Sequence, residues 1–140
     1  MFTAKVCRMM IGSLSGSMEE VHTAKEVVRE WNQQNAEESG KMYLPKEWTT
    51  KQVEIQNVDV VIGIVGNWIE KTSLIEDLVK EGKKVLLFFN TIQDPKNTIQ
   101  SEYDEVKAFR SRMQAHCLCA DFTDKNDLSA TLNEHLSVLQ

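Results

Sequence analysis

The residues whose types and spacing could do chemistry gather in two turns and on one helical stretch. The first turn, Gly12-Ser13-Leu14-Ser15-Gly16-Ser17, mixes glycine and serine at the end of an apolar run. Glycine lets a backbone approach an anion closely, and hydroxyls can donate to it together with the unpaired amides of a following helix. Gly12, Ser13, Ser15, Gly16 and Ser17 are therefore candidate contacts for a phosphate or a ribose. The structural reading is helix capping, since any strand-to-helix turn benefits from glycine and serine. The second turn, Val65 to Trp68, carries an aromatic ring that can stack on a base. Trp48 follows another strand end and has the same two readings, stacking or ordinary packing. Glu76 lies on the helical stretch beyond Trp68. A carboxylate beside a sugar can stabilise an oxocarbenium-like centre or act as nucleophile in N-glycosidic cleavage. Glu76 is the catalytic candidate, with Glu70 as its substitute. Against chemistry, Ser73-x-x-Glu76 has capping-box spacing, and Glu76 precedes Lys80 by one helical turn, a favourable exposed ion pair.

Other chemistries lack their residues. His22, His116 and His135 lie on separate elements without metal-ligand spacing, so no metal site is expected. There is no G-x-S-x-G elbow, and the serine turn lacks the Gly-Lys-Ser/Thr ending of a phosphate-binding Walker loop. Cys7, Cys117 and Cys119 cannot all pair internally. They are expected as reduced, buried thiols, with Cys117 and Cys119 directed to opposite faces of a strand. A chain of 140 residues, 41% apolar and 26% charged, describes one globular domain spanning 1–140. A net charge of −5, with no Lys/Arg run longer than two, argues against a nucleic-acid binder. No apolar stretch approaches the roughly 18 residues of a membrane span. Met1 to Lys5 run into strand-like sequence without an apolar signal core, and a cytoplasmic location is expected.

The elements that must position these residues follow from apolar runs of strand length alternating with stretches of helical period. The first strand is about Ala4 to Ile11, followed by a helix with Val21, Ala24, Val28 and Trp31 inward and a Ser17-x-x-Glu20 capping box; Gly40 turns the chain. Met42 to Pro45 reads as a short strand that its proline places at an edge or at its own end. Val58 to Val65 is almost continuously apolar, as a central parallel strand buried on both sides requires. A helix from about Trp68 to Glu81 presents Trp68, Thr72, Ile75, Leu78 and Val79 on one face and stops at Gly82. Lys84 to Phe89 is the next strand, and Ser101 to Gln114 a helix with Tyr103, Val106, Phe109 and Met113 inward. Cys117 to Ala120 is a last strand, before a helix from about Asp124 to Val138 that buries Leu128, Leu132, Leu136 and Leu139. This order predicts a flavodoxin-like α/β three-layer sandwich with a five-stranded parallel sheet, order 2-1-3-4-5. One crossover, Lys46 to Asn57, is too short and polar for a full helix. Ligands of such sheets bind at the carboxyl ends of the strands, at the switch point between the first and third, where the two turns would meet.

Met10-Ile11-Gly12-Ser13-Leu14-Ser15, then Glu19-Glu20, Glu30-Trp31-Asn32 and Leu44-Pro45-x-x-Trp48, resemble the N-terminal TIR-like domain of bacterial defence, or conflict, proteins. Asp59 to Ile64, Gly82-Lys83-Lys84-Val85 and Tyr103-x-x-Val106-Lys107-Ala108-Phe109-Arg110 are similar to that group's third strand, fourth strand and penultimate helix. The likeness covers nearly the whole chain. Relatives of that domain include TIR enzymes and nucleoside deoxyribosyltransferases, which act at the glycosidic carbon of NAD or a nucleoside through a glutamate on the helix after the third strand. The resemblance implies a nucleotide or NAD as ligand, no required cofactor, N-glycosidase or transferase chemistry through Glu76, and a homo-oligomer or protein partner in defence signalling. The family's segment between second and third strands is longer than Lys46 to Asn57. Its Ser-Gly-Thr-x-x-Glu approach to the catalytic helix reads Glu70-Lys71-Thr72-Ser73-Leu74-Ile75-Glu76 here, and counting back from Gly82 gives the glutamate position to Leu74. A shortened, degenerate member that only binds a nucleotide, or a non-catalytic interaction or decoy module, is the alternative.

Ser13-x-Ser15-Gly16-Ser17 also resembles the FMN phosphate loop of flavodoxins, and Asn67-Trp68 falls where an aromatic residue would cover the flavin. That likeness implies an FMN-binding electron carrier. Met18 stands where those loops have threonine, and Asn90 to Pro95 lacks the glycine-aspartate-aromatic pattern of the second flavin loop.

Overall fold

The apolar runs separate into strands because each is short, β-rich and bounded by polar or glycine-containing turns. In a computed structural model they form β1 (Lys5–Ser13), β2 (Lys41–Glu47), β3 (Val60–Val65), β4 (Lys84–Asn90) and β5 (Leu118–Phe122). The helices are α1 (Met18–Ser39), α2 (Thr72–Lys80), α3 (Gln100–Met113) and α4 (Lys125–Val138). The structure describes residues 2–15, 18–47, 58–66, 68–70, 72–91 and 99–139. Gly16, Ser17, Trp48, Asn67, residues 49–57 of the polar crossover and most of the segment after Asn90 lie outside the described residues, and Lys46 and Glu47 belong to β2.

All four strand pairings are parallel and the order is β2-β1-β3-β4-β5, the flavodoxin-like arrangement expected from the sequence. β2 lies at an edge and carries Pro45, which a central strand would not tolerate. Every residue of β3 is buried, because helices cover both faces of the sheet there. On one face Met9, Ile11, Ile62, Ile64 and Phe88 pack with Val21, Val28 and Trp31 of α1 and Leu128, Leu132 and Leu136 of α4. On the other, Met10, Val61, Val65, Leu87 and Phe89 pack with Ile75 and Leu78 of α2 and Val106, Phe109 and Met113 of α3. Among the described residues no helix is long and apolar enough to cross a membrane.

The α1/α4 layer is also tied by polar contacts. The Trp31 indole N–H donates to Ser137 Oγ at 3.0 Å, and the Tyr43 hydroxyl donates to the Leu136 carbonyl at 3.1 Å. Asn32 Nδ2 donates to the Tyr43 carbonyl at 2.7 Å while Asn32 Oδ1 accepts from the Tyr43 N–H at 2.9 Å. The Lys41 ammonium donates to the Leu139 carbonyl. Asp124 caps α4 by accepting from the Asp127 N–H at 2.7 Å.

Three sequence expectations are corrected. α2 begins at Thr72, so Trp68 precedes the helix and is 37% exposed instead of lying on its inward face. Helix period continues back through Trp68 in the sequence, but Leu14 and Glu70 join backbone to backbone across the turns, which occupies the chain just before the helix. Cys117 and Cys119 pack against the same core, on the α2/α3 side, because residues two apart share a strand face. The three thiols are free but half-buried, not fully buried. The ends of the first two helices match expectation: Gly40 and Gly82 have φ of 70° and 79°, where a side chain would be strained. Gly82 closes α2 as a left-handed cap, with its N–H donating to Val79 O at 3.0 Å and the Lys83 N–H to Leu78 O at 3.1 Å.

Candidate functional site

β1 and β3 are sheet neighbours, with Gly12 opposite Gly63 and Ser13 opposite Ile64. The turns that leave them therefore emerge side by side at the switch point of the sheet. Backbone bonds stitch them together: the Leu14 N–H donates to Ile64 O and the Glu70 N–H to Leu14 O, both at 2.9 Å. Leu14 itself is 1% exposed and packs into the α2/α3-side core.

Ser15 completes the junction. Its hydroxyl donates to the Trp68 carbonyl and accepts from the Gly66 N–H at 2.7 Å, so one side chain joins the first turn to both ends of the second. It is the buried polar residue of the described core, 6% exposed. A hydroxyl has one proton, and here a protein carbonyl takes it, which leaves Ser15 Oγ only as an acceptor toward any ligand. Ser13 Oγ accepts from the Ser15 N–H at 3.0 Å and is half-buried at the mouth of the junction. Gly12 is buried within β1 and Glu70 is exposed. Trp68, anchored through its carbonyl by Ser15, has more than a third of its surface open. Ser13, Ser15 and Trp68 are thus brought together, whereas Gly16 and Ser17 belong to the undescribed part of the turn.

Glu76 belongs to a different group. It lies in the second turn of α2, and its carboxylate pairs with Arg112 of α3 at 3.3 Å. Glu76 and Arg112 line a depression of about 380 Å³ with Val79, Lys80, Met113 and His116, none of which comes from the two turns. Its ion-pair partner is Arg112 on the neighbouring helix, a choice the one-turn spacing to Lys80 does not suggest.

Sequence reasoning found the two turns and missed what joins them. Two of the joining groups, the Gly66 N–H and the Trp68 carbonyl, are backbone atoms that leave no trace in residue type. The only available signal was a serine at the buried end of a Gly/Ser turn.

No family model matches the chain, and no curated protein matches it. Among solved structures it is similar to homoserine dehydrogenase from S. aureus, with a TM-score of 0.52 and 13% identity over 85% of this chain and 32% of that one. A second structure of the same enzyme, at pH 7.0, gives a TM-score of 0.52 and 13% identity over 85% of this chain and 33% of that one. The chain thus spans about a third of the length of those structures. The lactose-specific IIB component domain of the Streptococcus pneumoniae phosphotransferase system aligns over 97% of this chain and all (100%) of that one, with a TM-score of 0.39 and 11% identity. At these identities the likeness to the dehydrogenase concerns the α/β fold.

Proposed function

We propose that the chain is a TIR-like domain that binds a nucleotide or an NAD-like ligand at the carboxyl edge of its sheet and holds it without cleaving the glycosidic bond. The observation that carries this reading is the Ser15 junction, which fixes the two turns in one register next to the partly exposed Trp68. In this reading Trp68 packs on the base, and the backbone and hydroxyl of Gly12 and Ser13 meet the ribose or phosphate together with Gly16 and Ser17. Ser15 acts through the turns that it joins. Support for binding without cleavage comes from Glu76, whose carboxylate faces Arg112 of α3 in a depression whose described lining is separate from the two turns.

A thermal-shift panel of NAD, nucleosides and nucleotides tests the binding. A ligand at 100 times its dissociation constant adds about 2.7 kcal/mol of stability. Wild type is expected to shift with at least one member of the panel, and Trp68→Ala to lose that shift while keeping its helical circular dichroism. Incubation of NAD and nucleosides with wild type and Glu76→Gln separates the two versions of the site. Turnover by wild type that disappears in Glu76→Gln would replace this reading with a catalytic one.

A further inference from the structure

Away from the two turns, a cavity of about 280 Å³ opens at the amino edge of the sheet, where β4 and β5 begin. Its lining reverses the charge balance of the chain. The sequence has 21 acidic residues against 16 lysines and arginines, yet the ionisable side chains among the described residues around this cavity are lysines, histidines and a cysteine. They come from three separate places: Lys83 from the turn before β4, His116 from the turn before β5, and His135 from α4. The clustering is therefore a product of the tertiary fold and not of a basic run in the sequence.

The rest of the lining is apolar and partly open to water. Leu118 is 42% exposed and Val138 70%, and both border the cavity with Leu139. His135 is held in place: its Nδ1 lies 2.7 Å from the Thr131 carbonyl, and its ring stands edge-on to Phe88 with centroids 5.9 Å apart. A carbonyl can only accept, so Nδ1 carries the proton and Nε2 is the nitrogen left for other partners. The volume falls just below the usual range of ligand sites, about 300 to 1,000 Å³, and suits a single ring or a short alkyl chain.

We propose that this cavity binds a small organic monoanion, a carboxylate carried on a short acyl chain or a single ring. The apolar body covers Leu118, Val138 and Leu139, and the carboxylate meets the side chains of Lys83 and His116, with the His135 ring as a wall of the cavity. Burial of the exposed apolar surface supplies the attraction, and the positive rim selects the sign of the head group. None of the cavity's described lining residues comes from the turns after β1 and β3, which hold the proposed nucleotide crevice.

Octanoate is the probe, followed by titration calorimetry and by the imidazole resonances of His116 and His135. Wild type is expected to bind it saturably at one site with both histidines shifting. Lys83→Glu and Val138→Glu, which place an acid at the rim from two different elements, are each expected to weaken binding about tenfold. Lys107→Glu makes the same change in net charge as Lys83→Glu on α3, away from the cavity, and is expected to leave affinity unchanged, as is Trp68→Ala. The proposal is overturned if wild type shows no saturation up to millimolar octanoate. Equal weakening by Lys107→Glu and Lys83→Glu would also overturn it, since binding would then follow net charge alone.

Discussion

The two helical layers of this molecule are built differently. α1 and α4 are joined to each other and to β2 by buried or half-buried polar ties: Trp31 to Ser137, Tyr43 to Leu136 and Asn32 to Tyr43. α2 and α3 cover the opposite face through apolar side chains, and the ion pairs described among them and β5, Glu76 with Arg112 and Arg110 with Asp121, sit on the surface. Apolar burial is non-directional, whereas a buried hydrogen bond is lost completely when the geometry shifts. One layer is therefore held in register by directional bonds, and the other chiefly by apolar packing. The proposed nucleotide crevice lies on the boundary, with α1 after one turn and α2 after the other, and Ser15 is the polar tie that spans it.

The largest test of this contrast is Trp31→Ala. Trp31 is 3% exposed, packs on Tyr43 with ring centroids 5.2 Å apart, and holds Ser137, so its removal is expected to cost about 3 to 5 kcal/mol in urea unfolding. Ser15→Ala comes next. It leaves the Gly66 N–H and the Trp68 carbonyl without their shared partner and is expected to cost about 1 to 3 kcal/mol, with nucleotide affinity falling alongside stability. Tyr43→Phe removes one bond to the Leu136 carbonyl, about 1 kcal/mol near neutral pH. It also has a pH signature. Burial, with Cys7 nearby, pushes the Tyr43 hydroxyl from 10.0 up to about 12, so the folded state keeps a proton that the unfolded chain releases. Stability from this group is full below pH 10 and is lost as pH rises toward 12; Tyr43→Phe should flatten that alkaline decline in an ultraviolet-monitored titration. The smallest effect is expected for Arg112→Ala. The pair with Glu76 is exposed, and its loss should cost below about 1 kcal/mol by urea unfolding.

The same division separates what the sequence reveals from what it hides. Apolar spacing identified the inward residues of α1 and α4, since Val21, Ala24, Val28, Trp31, Leu128, Leu132 and Leu136 are all buried, whereas Leu139, expected with them, follows the helix end and is only half-buried. Gly40 and Gly82 marked two helix ends because those positions need positive φ. Parallel order followed from the alternation of elements, and the proline of β2 left two readings, an edge or the strand's own end, of which the edge is observed. Contacts between side chains and distant backbone were hidden. Ser15 reaches partners 51 and 53 residues away, and Glu76 pairs across 36, separations that no local pattern encodes. The thiols were misassigned for a geometric reason: Cys117 and Cys119 share a face, and the Cys119 thiol is held low by the adjoining Cys117 thiol, with Arg110 adding to the effect.

The Asn32 side chain has a consequence for how copies of this chain can meet. By engaging both the N–H and the carbonyl of Tyr43, it occupies hydrogen-bonding positions that an outermost strand would otherwise offer to a visiting one. A neighbour that sought to extend the sheet past β2 would first have to displace that amide, which disfavours strand pairing at Tyr43.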